Sequence, residues 1–164
     1  MKHYLRFMLV FLLSTVWCVG GYSQETVTDE LTYSVLGLTG NSYTKFSGKK
    51  ATSDAVYSGY AYKKGSNIQI KTSKQDSKYY TGIVSSVSGG KIKKITISGV
   101  QSDKGKSIDI YCSNNVYSSP DDLFGSKPGT KVGTITSSNS SVEISGDYSY
   151  IGIRSNSGAV YMYK

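Results

Sequence analysis

Ser107-Ile108-Asp109-Ile110-Tyr111-Cys112-Ser113 is the stretch that decides the fold. Ile108, Ile110 and Cys112 alternate with Asp109 and Tyr111, and an apolar period of two is the mark of a β-strand. The pattern repeats in both directions along the chain. Upstream, Ile95 and Ile97 alternate with Lys94, Thr96 and Ser98; Ile68 and Ile70 alternate with Asn67, Gln69 and Lys71; Leu31, Tyr33 and Val35 alternate with polar neighbours. Ala51–Tyr62 carries Val56, Tyr57, Tyr60 and Tyr62, and Ile83, Val84 and Val87 are closed by Gly89-Gly90. Downstream come Val132–Ile135, Val142–Ile144, Tyr148–Arg154 and Ala159–Tyr163. Roughly eight to ten short runs, divided by Gly, Ser, Asn and Asp, predict an all-β fold: an antiparallel β-sandwich, jelly-roll-like, in a single domain.

Two local features interrupt the strands. In Ser119-Pro120-Asp121-Asp122-Leu123-Phe124-Gly125, a serine cap, a proline at the first helical position and a closing glycine predict one helical turn. Ser102–Lys106 reads as a hairpin turn. The 164-residue composition agrees with the strand pattern. It has 18 Gly, 15 Tyr, 2 Pro and 2 Cys, with Leu and Ala scarce, which disfavours helix and excludes a coiled coil, a collagen or a disulfide-stapled miniprotein.

Residues 1–23 are expected to be a secretory signal peptide. Lys2, His3 and Arg6 precede the apolar run Phe7–Trp17, and Gly20, Gly21 and Ser23 supply small residues for cleavage. The expected cut follows Ser23, with Gly20 as the alternative. Trp17 before Cys18 argues against lipidation, and the apolar run is short for a membrane span. The domain plan is then residues 1–23 as signal peptide, 24–30 as a flexible lead-in and 31–164 as the sandwich, in a protein secreted to the periplasm, the cell surface or the medium. Cleavage removes Lys2 and Arg6 and takes the net charge from +8 to +6. It also removes the single histidine, the single tryptophan and Cys18. Cys112, in phase with Ile108 and Ile110, is left as a buried, inert core cysteine.

Losing histidine removes Ser-His-Asp and Cys-His nucleophilic sites and most zinc sites. Glycoside hydrolysis by two carboxylates has eight candidates: Asp54, Asp76, Asp103, Asp109, Asp121, Asp122, Glu143 and Asp147. Their turn-like and strand contexts read instead as solvated acids, with Asp109 and Glu143 on strand faces opposite the apolar residues. Gly105-Lys106-Ser107 is similar to the end of a phosphate-binding loop, but Val100 stands where its first glycine belongs and a strand follows in place of a helix. No cofactor is expected, and a single structural calcium ion on scattered loop oxygens stays open.

Small lysine groups (Lys49-Lys50, Lys63-Lys64, Lys71/Lys74/Lys78, Lys91/Lys93/Lys94 and Lys104/Lys106) with interleaved tyrosines fit nucleic acid or anionic glycans. Arg154 is the only arginine after residue 23, so sequence-specific nucleic-acid binding is not expected, and lysines also protect sheet edges. The 13 tyrosines beyond residue 23 are the most informative excess. Tyr57, Tyr60, Tyr79, Tyr80 and Tyr117 lie near turn signals, where rings in loops can stack on the apolar face of a sugar. These five are the candidate ligand-binding residues.

Lys93-Lys94-Ile95-Thr96-Ile97, then Lys106–Asn114, Gly129–Ile135, Ile144–Ser155 and Gly158–Tyr161 follow one another in an order that resembles β-sandwich modules of secreted bacterial proteins. More loosely it is similar to the galactose-binding-like jelly-roll superfamily, over roughly Leu31 to Tyr163. The resemblance implies a glycan-binding, accessory or adhesion unit without catalytic activity. Relatives often carry a tryptophan after the Lys-Ile-Thr-Ile strand, where this chain has Ser98-Gly99. The expected function is a secreted, non-catalytic binding module for an extracellular glycan or cell-surface polymer. The alternatives are a structural or adhesion-type protein contacting other proteins, and a carboxylate-dependent glycoside hydrolase.

Overall fold

Short runs of β-branched and aromatic residues with little helix-forming sequence between them leave the backbone to satisfy its hydrogen bonds strand to strand. A computed structural model describes residues 25–164 apart from 41, 76, 77, 102–104 and 157. The expected signal peptide, Gln24, Asp76, Asp103 and Lys104 lie outside the described residues. Ten strands form: β1 (Thr44–Lys49), β2 (Val56–Lys64), β3 (Asn67–Lys71), β4 (Gly82–Val87), β5 (Lys94–Thr96), β6 (Ile108–Ser113), β7 (Thr130–Ile135), β8 (Ser141–Glu143), β9 (Tyr150–Ser155) and β10 (Ala159–Met162). All pairings between strands are antiparallel. The larger sheet runs β10-β3-β2-β4-β9-β6-β7, with β1 added to β2, and β5 pairs separately with β8.

The long strand β2 joins the two layers. Its first part, around Tyr57–Tyr60, lies between β1 and β4, and Tyr62–Lys64 pair with β3. Side chains of β3 (Ile68, Ile70), β5 (Ile95), β8 (Val142) and β10 (Val160, Met162) meet those of β4 (Ile83), β6 (Ile108, Ile110, Cys112), β7 (Ile135) and β9 (Ile153) in one core. The result is an all-β, antiparallel, sandwich-like single domain. Each fully buried isoleucine contributes about 1.5–3 kcal/mol relative to exposure. Cys112 sits fully buried among them, and burial pushes its thiol up to about 11.

The outer face of the larger sheet is covered as well. Val84, Tyr111, Tyr117 and Leu123 form a second buried cluster beneath a 3-10 turn at Pro120–Phe124. That turn has the expected caps: Ser119 Oγ accepts from Asp121 N–H, and Gly125 N–H donates to the Asp122 carbonyl. Arg154 ties it to the sheet, donating to the Leu123 carbonyl and, at 2.7 Å, to Tyr111 Oη. Its guanidinium lies over the Tyr111 and Phe124 rings at 4.7 and 4.9 Å.

Two sequence expectations change. Leu31, Tyr33 and Val35 are not a strand: residues 33–37 form a turn, with Leu36 N–H on Thr32 O and Leu38 N–H on Tyr33 O, and Gly37 at φ +70°. The turn sends Leu36 and Leu38 into the core, with Leu31 and Tyr33 packed partly buried against it. Strand β1 carries no alternation in its sequence because Phe46 is its only buried residue and a bulge follows it before Lys49. Ser102–Lys104 of the expected hairpin turn lie outside the described residues; of the flanking strands, β5 pairs with β8 and β6 with β7 and β9. Asp29 of the lead-in accepts hydrogen bonds from Thr52 N–H, Ser53 N–H and Oγ, and Tyr57 Oη.

Candidate functional site

Pairing of β1 with β2 sets Lys45 opposite Tyr60 and Phe46 opposite Gly59. Phe46 turns into the core, so Lys45 and Tyr60 face outward together. Gly59 is required here, because a Cβ would stand 2.5 Å from the Phe46 ring and 2.3 Å from the Gly82 carbonyl oxygen. Ser58 lies opposite Val84, on the same outward side but displaced along the strand, and its buried Oγ has no hydrogen-bond partner among the described residues.

The segment before β4 brings two more tyrosines to this face. Gln75 bridges Tyr79, and Lys78 N–H and Tyr79 N–H both donate to the Gln75 carbonyl. The fully buried Thr81 hydroxyl accepts from Lys71 N–H at 2.6 Å and donates to the Lys71 carbonyl at 2.7 Å, locking the loop to the end of β3. Tyr80 N–H donates to Asp121 Oδ1 at 2.9 Å, and the Tyr80 ring stacks on Phe124 with centroids 4.0 Å apart. The loop is therefore clamped between β3 and the 3-10 turn.

A groove of about 420 Å³ lies between these parts. Lys45, Ser47, Ser58 and Tyr60 line it from the sheet, Tyr79 and Tyr80 from the loop, and Ser118–Asp121 from the capped turn. Tyr79 meets Tyr60 edge-on at 5.9 Å, and Lys45 Nζ sits 3.1 Å from the Tyr79 ring centroid. Lys74 Nζ lies 5.0 Å from the Tyr80 centroid. Tyr43 extends the aromatic row, 5.8 Å from Tyr60 and 5.5 Å from Tyr62. Burial first, then the neighbouring hydroxyls of Tyr161, Tyr60 and Tyr62, pushes the Tyr43 phenol up to about 12.

The five sequence-predicted tyrosines divide. Tyr79 (37% exposed) and Tyr80 are surface loop residues lining the groove. Tyr60 lines it too, but from strand β2 and only 6% exposed, so it presents an edge and not an open face. Tyr57 (8% exposed) belongs to β2 and donates to Asp29 Oδ2 at 2.8 Å, while Tyr117 (2% exposed) donates to the Pro128 carbonyl at 2.7 Å. Both are corrected from loop platform to buried packing: each ring fills a core cluster and each hydroxyl has an internal partner. Lys45, Ser58 and the Ser118–Asp121 wall were missed. Lys45 reaches the site only through strand register, which its local sequence does not disclose.

The carboxylates scatter. Asp109 is buried, paired with Lys131 Nζ at 2.7 Å and accepting from Thr134 Oγ1 at 3.0 Å; this corrects its reading as a solvated acid, since the covered outer face leaves it no water. Glu143 pairs with Lys94 and Asp147 with Lys91, both exposed. Asp122 accepts from Ser118 N–H and Oγ and from Ser119 N–H, and Asp54 is exposed. Of the described candidates, Asp121 lines the groove. Among the described residues no three of His, Cys, Asp and Glu gather as metal ligands, and no helix is long and apolar enough to cross a membrane. Comparison of the chain with protein-family models, curated proteins and solved structures finds no match.

Proposed function

We propose that the protein is a secreted, non-catalytic binding module that takes an extracellular glycan in the groove lined by Tyr60, Tyr79 and Tyr80. The observation that carries this reading is the groove itself. A loop aromatic, Tyr79, stands at one side, serine hydroxyls and one carboxylate stand at the others, and about 420 Å³ lies between them. That combination suits a sugar, whose C–H face packs on a ring while its hydroxyls need paired donors and acceptors. Export by a signal peptide cleaved after Ser23 belongs to the same reading, as does the resemblance to secreted sandwich modules.

Affinity electrophoresis through a panel of neutral and acidic polysaccharides tests the proposal. At least one polymer should retard the protein, and Tyr79→Ala should abolish the retardation while leaving the melting temperature in place. Retardation by no polymer, or an undiminished effect in Tyr79→Ala, would overturn it.

A further inference from the structure

Lys91, Lys94, Lys131 and Lys164 each hold a carboxylate at 2.7–2.9 Å. Lys45, Lys63, Lys71 and Lys74 pair with none among the described residues; their ammonium groups rest instead over the rings of Tyr79, Tyr33, Tyr43 and Tyr80 at 3.1, 4.5, 5.1 and 5.0 Å, and of these four Lys45 lines the groove. A cation held on an aromatic face is positioned yet still able to bind an anion, because the exposed cation–π contact is weaker than a charge-assisted hydrogen bond to a carboxylate. Lys45 faces outward from β1 beside Tyr60 and lines the groove, so an arriving anion meets it directly.

From this we infer that the groove's ligand is an acidic glycan, a polymer of uronic-acid type, whose carboxylate engages Lys45 and Lys74 and thereby draws Lys45 off the Tyr79 ring so that the sugar face can take its place. The inference rests on the glycan reading above and narrows it to one ligand class. The groove's described lining has no arginine to fork onto phosphate or base edges, while Asp121 and the serine hydroxyls offer hydrogen bonds to sugar hydroxyls. The net charge of +6 after cleavage adds long-range attraction for a polyanion at low salt.

The test is titration calorimetry of the protein with polygalacturonate, with the same polymer after reduction of its carboxyls to alcohols, and with a single-stranded oligonucleotide. Lys45→Gln, Lys74→Gln, Tyr79→Ala and a distant control, Lys94→Gln, are measured beside it, with folding checked by thermal melting. Polygalacturonate should bind about tenfold more tightly than its reduced form, a factor typical of one charge-assisted hydrogen bond. Lys45→Gln should lose that factor against the acidic polymer, bind the reduced polymer as the parent does, and melt normally; Lys94→Gln should change nothing. Equal affinity for the acidic and reduced polymers, or full affinity for polygalacturonate in Lys45→Gln and Lys74→Gln, would overturn the acidic ligand while leaving the glycan reading intact if Tyr79→Ala still abolishes binding. Tighter binding of the oligonucleotide would overturn both readings, as would binding of no polymer at all.

Discussion

Gly152→Ala tests how the groove wall is built. Gly152 on β9 lies opposite Val84 on β4 and beneath Leu123 of the 3-10 turn. A Cβ at this position would stand 2.3 Å from Leu123 Cδ2, 3.2 Å from Cδ1 and 3.3 Å from Cγ. Ordinary carbon contacts begin near 3.5 Å, so the turn must rise from the sheet by roughly 1 Å. Leu123 is fully buried and has no free direction to move. A Cβ added at Gly82 on the neighbouring strand would likewise stand 3.3 Å from Pro120 Cβ. Overpacking of this kind costs about 1–3 kcal/mol, offset by about 0.4–1 kcal/mol from the lower entropy of alanine in the unfolded chain. The net loss of about 1–2 kcal/mol corresponds to a fall in melting temperature of roughly 3–6 °C for a domain of this size. Differential scanning calorimetry reads it directly. Pairing the change with Leu123→Ala gives a second reading: the truncation relieves the clash, so the double variant should be more stable than the two single losses predict, by about 1 kcal/mol. A Gly152→Ala melting temperature within about 1 °C of the parent, or strict additivity in the double variant, would refute the claim that Leu123 seated on Gly152 holds the turn.

Three further outcomes follow from the side chains already described. Asp29 is held below the usual carboxylate range: burial raises it, but the combined hydrogen bonds from Ser53, Tyr57 and Thr52 outweigh burial. With a depressed folded-state value, its contribution is present above the unfolded value of 3.8 and lost as pH falls through the folded value. Asp29→Asn should therefore destabilise the protein at neutral pH and flatten the acid side of a denaturation profile. At high pH the sign reverses. Tyr43, Tyr57 and Tyr117 are all raised, chiefly by burial, so stability should be complete below pH 10 and fall as pH rises toward 12, with less loss in Tyr43→Phe. The Cys112 thiol, buried and pushed up to about 11, should resist iodoacetamide at pH 8 in the native protein and react fully in denaturant; native-state labelling at a free-thiol rate would contradict its place in the core.

Most of the sheet was legible because its strands have one face against the core. Ile68 and Ile70, Ile108, Ile110 and Cys112, and Val160 with Met162 are all buried in the phase their alternation implies. The 3-10 turn was legible for a different reason: Ser119, Pro120 and Gly125 each act through their own backbone, so the signal is local. Strand β1 was not legible, since a single phenylalanine cannot establish a period and a bulge breaks the phase after it. Leu31–Val35 misled because three alternating apolar residues also fit a turn, and Gly37 at φ +70° closes the turn by a backbone conformation open mainly to glycine.

The site was harder to read because tyrosine is amphipathic and its sequence context does not say which end is wet. Tyr57 and Tyr117 stand beside turn residues yet are buried, each with its hydroxyl satisfied by a group distant in sequence: Asp29 for one, the Pro128 carbonyl for the other. Tyr79 and Tyr80 are adjacent in sequence but have different tasks. The backbone and ring of Tyr80 fasten the loop to Asp121 and Phe124, while the Tyr79 ring lies at the surface under Lys45 Nζ. Arg154 then shapes the groove although it lies outside the groove lining. By holding the Leu123 carbonyl and the Phe124 ring it fixes the turn on which Tyr80 stacks and from which Ser118–Asp121 form the wall. The groove is thus a product of outer-face packing, in which two glycines admit a turn, an arginine secures it and a tyrosine stack transmits its position to the loop that carries Tyr79. None of these couplings is local in sequence, and so strand periodicity could locate the sheet without locating the site.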